Sequence, residues 1–477
     1  MSFDATFNEL QNGLVQLIIE VEGTSAGNIQ PAHIHMNSAF EGGSIIVSLE
    51  DVEGATGLSI TEFSSDDNGN SISFEDIEGL DAYINVHLSA DALGTIVTQG
   101  DIGENDLTGE EKSYDLAEKD VEGISGTVLF EERVNGEALA TINLMGTSDG
   151  EVHPAHIHMN TAVEGGNILY TFNSVDGTTG MSQSNVAALD DTTEFGYADV
   201  LEVDGYVNVH LGPGDDLGTI VAQGDIGQNE LTGEEKSYVL EERDVDGISG
   251  SILFEERLNG EALATINLMG TSDGEVHPAH IHMNTAVEGG NIIYTFNSVD
   301  GTTGMSQSNV AALDNGTEFG YADVLEVDGY VNVHLSALFS GTIVAQGDIG
   351  QNELTGEEKS YDLGEKDVEG ISGTVLFEER VNGEALATIS LIGTPDGGEH
   401  PAHIHMNTAA EGGDIIYTFN SVDGTTGMSQ SNVAVLDDTT EFGYADVLEV
   451  DGYVNVHLSA FALGTIVAQG DIGANVE

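Results

Sequence analysis

The chain reads as an all-β protein of four tandem β-sandwich or barrel domains arranged as a rod, and three observations predict this. His-Ile-His pairs begin at His33, His156, His280 and His403, so one pattern recurs at spacings of 123, 124 and 123 residues. Each copy is built of short alternating apolar stretches separated by glycine and by Asn-Gly or similar turns, a strand texture. Each copy also closes on the same run, Gly-Thr-Ile-Val-(Ala/Thr)-Gln-Gly-Asp-Ile-Gly, ending at Gly103, Gly227, Gly350 and Gly473. A period this long exceeds that of solenoids and propellers, so each repeat is a domain in itself.

The boundaries follow from the closing run. Domains are expected at 1–103, 113–227, 237–350 and 360–473, with nine-residue connectors 104–112, 228–236 and 351–359. The connectors are nearly constant, so we read them as equivalent joints, with a flexible linker as the alternative. Copies two and three are almost identical, as Gly136–Gly166 against Gly260–Gly290 illustrates. Such arrays act by reach or multivalency more often than by one chemistry.

Within the second repeat, strands are expected at Gly126–Val134, Glu137–Met145, Ala155–Met159, Asn167–Val175, Gly205–Leu211 and Gly218–Gln223. Asn135-Gly136 marks the first hairpin turn. Glu194–Leu201 suits a single helical turn. In the first repeat nothing matches Ser113–Ile124, so domain one is expected to lack an edge strand. Either the chain as given starts inside that repeat, or another chain supplies the strand.

Composition excludes several classes. Nine Lys+Arg against 84 Asp+Glu give a formal charge of −75, a field that repels nucleic acids and anionic membranes and attracts cations. Cysteine is absent, which removes disulfides and thiolate sites. Apolar content of 39 % suffices for packed cores. The longest apolar run, Gly13–Val21, is broken by Gln16 and Glu20 and is too short for a membrane span. Met1-Ser-Phe-Asp shows no signal peptide, leaving a cytosolic protein or numbering that starts after processing or within a longer protein.

All 15 histidines fall in the repeated motifs. The pairs are His33/His35, His156/His158, His280/His282 and His403/His405; 54 residues after the first member of each come His87, His210, His334 and His457 in Asn-Val-His. His153, His277 and His400 precede the pair in copies two to four, and Gln30 stands there in copy one. Residues i and i+2 of a strand share a face, so His156 and His158 point together while Ile157 packs opposite. Asn208 and His210 likewise share a face. If the two strands are neighbours, three imidazoles converge, with His153 as a fourth ligand and Asn208 or a backbone carbonyl orienting one ring. Imidazoles without thiolate suit Cu(II) or Zn(II), one per domain. The alternative is a buried hydrogen-bonded network of purely structural use. The first copy, with Gln30, is expected to be the weaker site. Asp66-Asp67-Asn68-Gly69 lacks EF-hand spacing, so calcium is expected only as a loosely bound cation. No nucleophile elbow, P-loop or dinucleotide fingerprint occurs.

Pro154–His158 followed by Glu164–Gly166, then Asp204–His210 and the closing run Gly218–Gly227, resemble the CHRD domain named after chordin. The resemblance extends over all four repeats. It implies an immunoglobulin-like β fold, and in this acidic tandem form it looks like secreted or lipid-anchored surface proteins of marine bacteria related to flavobacteria. Their signal peptide and anchoring cysteine have no counterpart in this sequence. A fainter likeness, to the copper site of Cu/Zn superoxide dismutase, lies in the His-X-His on a strand; no bridging histidine and no lysine or arginine near the motifs support that activity. The expected role is a non-enzymatic, extracellular or cell-surface rod or fibre for adhesion, coating or assembly, binding divalent cations. The alternatives are a copper redox protein and an acidic divalent-cation binder.

Overall fold

The computed structural model describes residues 1–476. Strands dominate, and helix is confined to short turns. The chain divides into two compact units, Met1–Glu230 and Leu231–Glu477, each holding two repeats. Four separate apolar cores occur, one for each repeat.

The second repeat shows the pattern. Its strands are β1 (Leu107–Glu118), β2 (Ser125–Arg133), β3 (Ala138–Met145), β4 (Val152–His153), β5 (Ala155–Met159), β6 (Ile168–Thr171), β7 (Val175–Asp176) and β8 (Met181–Val186). A helical turn, α1 (Tyr197–Glu202), precedes β9 (Asp204–His210) and β10 (Ile220–Gly227). They form one curled sheet in the order β4-β7-β8-β3-β2-β1-β10-β9-β5-β6. The long β1 makes the curl. Its residues up to Leu116 pair with β2, and then Ala117 and Glu118 pair with Gln223 and Ala222 of β10. One strand thereby serves both layers of a sandwich, and the third and fourth repeats are built in the same order.

Alternation explains the core. On β2, Val128 and Phe130 point inward and are fully buried; on β9, Val207 and Val209 do the same. Each such side chain contributes about 1.5–3 kcal/mol by leaving water. Asn135-Gly136 turns the β2–β3 hairpin as expected, with Gly136 in the left-handed region at φ 84°.

Three expectations are revised. Asn167–Val175 is not one strand: the chain leaves the β5 layer after Thr171 and re-enters the other at Val175. The last strand starts at Ile220, because Gly214–Gly218 forms a 3-10 turn, and runs on to Gly227. The strand missing from the first repeat is not an edge strand. Its counterpart, β1, lies in the middle of the sheet order, and without it the first repeat remains two separate sheets of five and four strands.

The stretch read as connector 104–112 is largely strand, since β1 begins at Leu107. The junction of the first two repeats is held by Arg133, whose side chain is wholly buried and whose Nη1 lies 2.7 Å from the Asp101 carboxylate. The same nitrogen donates to the Asn105 carbonyl. In the second unit Arg380 pairs with Asp348 at 2.7 Å and donates to the Asn352 carbonyl. Hydrogen bonds from the Val134 and Asn135 amides to the Asp106 and Glu104 carbonyls complete the first joint.

Candidate metal centre

The site forms because β5 and β9 are direct neighbours. His156 pairs with Asn208 and His158 with Tyr206, which sets His210 diagonally across from His156. Ile157, Val207 and Val209 face the core, so His156, His158 and His210 share the opposite face. That outer face is also covered: the three histidines are 9 %, 9 % and 6 % exposed. A β-strand buried on both faces, with imidazoles on one of them, is the structural signature of the site.

The donor atoms converge. Nδ1 of His156 lies 3.0 Å from Nε2 of His210. In each triad the three donor atoms lie within 4.8 Å of one another. Metal–nitrogen bonds of about 2.0–2.1 Å place tetrahedral donors ~3.3 Å apart, so a small closure suffices. The four groups are His33/His35/His87, His156/His158/His210, His280/His282/His334 and His403/His405/His457. Ring geometry repeats closely: the first and third histidines stand 4.9–5.0 Å apart between centroids in all four.

Backbone carbonyls set the tautomers. His158 Nδ1 donates to the Gly166 carbonyl at 3.0 Å, and His210 Nδ1 to that of Leu217 at 2.6 Å. Each Nε2 therefore carries a lone pair, and Nε2 of His158 has no hydrogen-bond partner; the same holds for His35, His282 and His405. Unpaired buried nitrogen is costly unless something binds it. Of the two orienting groups expected, the carbonyl is the one used. Asn208 instead accepts a hydrogen bond from Gln223.

Two further supports were invisible in the sequence. The His158 ring stacks on Tyr206 at 5.0 Å, as its counterparts stack on Tyr83, Tyr330 and Tyr453. Gly166 is required because a Cβ there would collide with the Met159 carbonyl. In the sequence it stands out only as part of the Glu-Gly-Gly motif at Glu164–Gly166.

Burial pushes His156 down to about 4, helped by repulsion from His210 and His158 and opposed by Asp190. His280 and His403 are likewise pushed down to about 4. His33, His87, His210, His334 and His457 are lowered too, with burial as the main cause. These imidazoles are neutral at pH 7, the form that coordinates metal.

The expected fourth ligand is placed elsewhere. His153 is fully buried, and its Nδ1 bonds the His210 carbonyl at 3.0 Å while Nε2 lies 3.4 Å from Glu151. It pins the end of β9 rather than joining the triad. His277 and His400 bond His334 and His457 in the same way. In the first repeat Gln30 fills the space with its amide unpartnered. Asp66 accepts bonds from the Asn68 and Asn70 amides, making a turn rather than an ion loop. Among the described residues, the groups able to hold an ion are the four histidine triads.

No helix among the described residues is long and apolar enough to cross a membrane. No protein-family model and no curated protein matches the chain.

Proposed function

We propose that each repeat binds one Cu(II) or Zn(II) ion through Nδ1 of its first histidine and Nε2 of the other two, in a non-enzymatic CHRD-type protein of the cell surface or extracellular space. The carrying observation is the fourfold recurrence of three imidazole nitrogens within 4.8 Å of one another, with backbone carbonyls leaving the lone pairs of His158 and His210 on Nε2 in the second repeat. Soft or borderline metals suit such donors, and Cu(II) binds them most tightly among the common divalent ions. The multiplied sites, the acidic surface and the buried arginine joints support a role in adhesion, coating or fibre assembly, where divalent cations bridge or stiffen the array.

The test is metal content by ICP-MS on protein purified without chelator or tag, beside the combined variant His156→Ala/His158→Ala/His210→Ala. About four transition-metal ions per chain, falling by about one in the variant, is the expected result. No bound transition metal, with the variant merely less stable, would make the triads structural. Electron micrographs test the rod or fibre organisation, which compact or randomly articulated particles would overturn.

A second reading, a copper redox protein, is favoured by one feature: only three protein donors are grouped, which leaves a coordination position for an exogenous ligand. A colourless, EPR-silent protein after Cu(II) loading would remove it.

A further inference from the structure

We propose that the metal site of the first repeat is completed by the second repeat, and that of the third by the fourth. Arg133 and Arg380 are the positioning residues, each acting on a triad it does not touch. The inference rests on the metal-binding reading above and names what tunes two of those sites.

The loop after each histidine pair carries the orienting carbonyl. In the third repeat it runs from Asn284 to Gly290. The His282 Nδ1 donates to the Gly290 carbonyl at 3.0 Å, and the Gly290 amide donates to the Tyr330 hydroxyl at 3.2 Å. Internal bonds tie the loop to itself: Asn284 Nδ2 donates to the Gly289 carbonyl and Thr285 Oγ1 to the Glu288 carboxylate. One side chain of the sheet holds this unit down. Asp348 lies opposite Tyr330, the residue stacked on His282, and its Oδ1 accepts the Ala286 amide at 2.7 Å. The same anchor recurs in the other repeats, from Asp101 to the Ala39 amide, from Asp225 to Ala162 and from Asp471 to Ala409, each at 2.7 Å.

The second oxygen of that carboxylate is gripped by the following repeat. Asp348 Oδ2 lies 2.7 Å from Nη1 of Arg380, and Asp101 Oδ2 lies 2.7 Å from Nη1 of Arg133. Both arginine side chains are wholly buried, so neither can leave its partner without stranding a charge. A carboxylate fixed on one oxygen is fixed on the other. Freed of its arginine, Asp348 would let Ala286 and Gly290 drift, and the His282 ring with them. The second unit adds a direct contact: Arg380 Nε donates to Asn432 Oδ1 at 2.9 Å, and Asn432 Nδ2 donates to Glu288 Oε2 at 3.2 Å. Linkage is reciprocal, so a docked joint that tightens the site is itself tightened, by the same factor, when the site is loaded.

The experiment titrates the full chain with Zn(II) and follows segment-resolved hydrogen exchange by mass spectrometry. The loops Asn37–Gly43 and Asn407–Gly413 differ in sequence from each other and from those of the middle repeats, so they report the first and fourth sites separately. Arg133→Ala should raise the Zn(II) midpoint of the first site about tenfold and leave that of the fourth unchanged. Arg133→Lys, which keeps a cation against Asp101, should recover part of the loss. In the unaltered chain Zn(II) should protect the Val134 and Asn135 amides, which bond across the first joint. His35→Ala, which leaves the second site intact, should lose that gain. Should Arg133→Ala loosen the first repeat altogether, this second comparison decides alone. A merely structural arginine would lower protection at every Zn(II) concentration without moving the midpoint. An unmoved midpoint in Arg133→Ala overturns the proposal, as does joint protection that is indifferent to Zn(II) or survives His35→Ala undiminished. If neither the first nor the fourth site takes up Zn(II), the metal-binding reading fails and the proposal falls with it.

Discussion

Adding Zn(II) or Cu(II) should stabilise the folded repeats by a calculable amount. The three donor nitrogens of a triad come from two strands and are 54 residues apart at their widest, so the unfolded chain cannot present them together. Binding is then tied to folding, and free metal at 100 times its dissociation constant contributes ~2.7 kcal/mol per site. For a domain of this size, 1 kcal/mol is worth roughly 4 °C in Tm, so each repeat should melt about 10 °C higher. Calorimetry on the metal-free and loaded chain reads this directly. In the variant His156→Ala/His158→Ala/His210→Ala, one quarter of the unfolding enthalpy should stay unshifted; if the Arg133 joint makes repeats one and two melt together, their half of the enthalpy should shift by about half as much, because only His33/His35/His87 still binds there. With 84 carboxylates, any divalent ion relieves some self-repulsion, so calcium at equal concentration is the control. An equal shift with calcium, or an undiminished shift in the variant, would refute the reasoning.

Four other outcomes follow from the geometry. His156, His280 and His403 titrate near 4 when folded and near 6.5 when unfolded, so the unfolded chain binds more protons between those values. Their contribution to metal-free stability is therefore fully present above about pH 6.5 and is lost as pH falls toward 4; the difference between wild type and the triple variant across a pH series of denaturant titrations isolates the share of the second repeat. Gly166→Ala should displace the carbonyl that holds His158 and weaken metal binding by about 10–100-fold, measured by chelator competition. Arg133→Ala strips Asp101 of its buried partner and should cost about 3–5 kcal/mol in the protection of the first joint, read by hydrogen exchange. Ile157→Ala opens a cavity behind the triad and should cost about 2–5 kcal/mol of stability in that repeat, with metal stoichiometry unchanged in the surviving fold.

Much of the site was legible because a strand imposes a period of two. His156 and His158 had to share a face, and Ile157 had to oppose them. Strands with apolar inner residues, such as β5 and β9, were readable for the same reason. Met181–Val186 is not legible as a strand because its buried inner positions include Ser182 and Ser184, which do not look like core. Only the second half of β1 is legible, as an edge strand, because its first half, Leu107–Lys112, is polar and largely exposed and resembles a linker. Its pairing is made by backbone groups, which every sequence supplies. His153 was placed wrongly for a related cause: nearness in sequence to the pair gave no sign that the Pro154 step turns its ring toward the His210 carbonyl.

The sequence by itself determined that the fold is all-β, that one plan is repeated four times, and that every histidine belongs to that plan. Local periodicity and composition carry that information. Only the tertiary structure decided which strands are neighbours, and hence that three imidazoles meet while a fourth turns away. It alone showed that carbonyls of Gly166 and Leu217 hold the tautomers and that one long strand closes each later repeat but not the first. Those features depend on contacts between residues far apart in the chain, made largely through backbone atoms whose chemistry is the same at nearly every position.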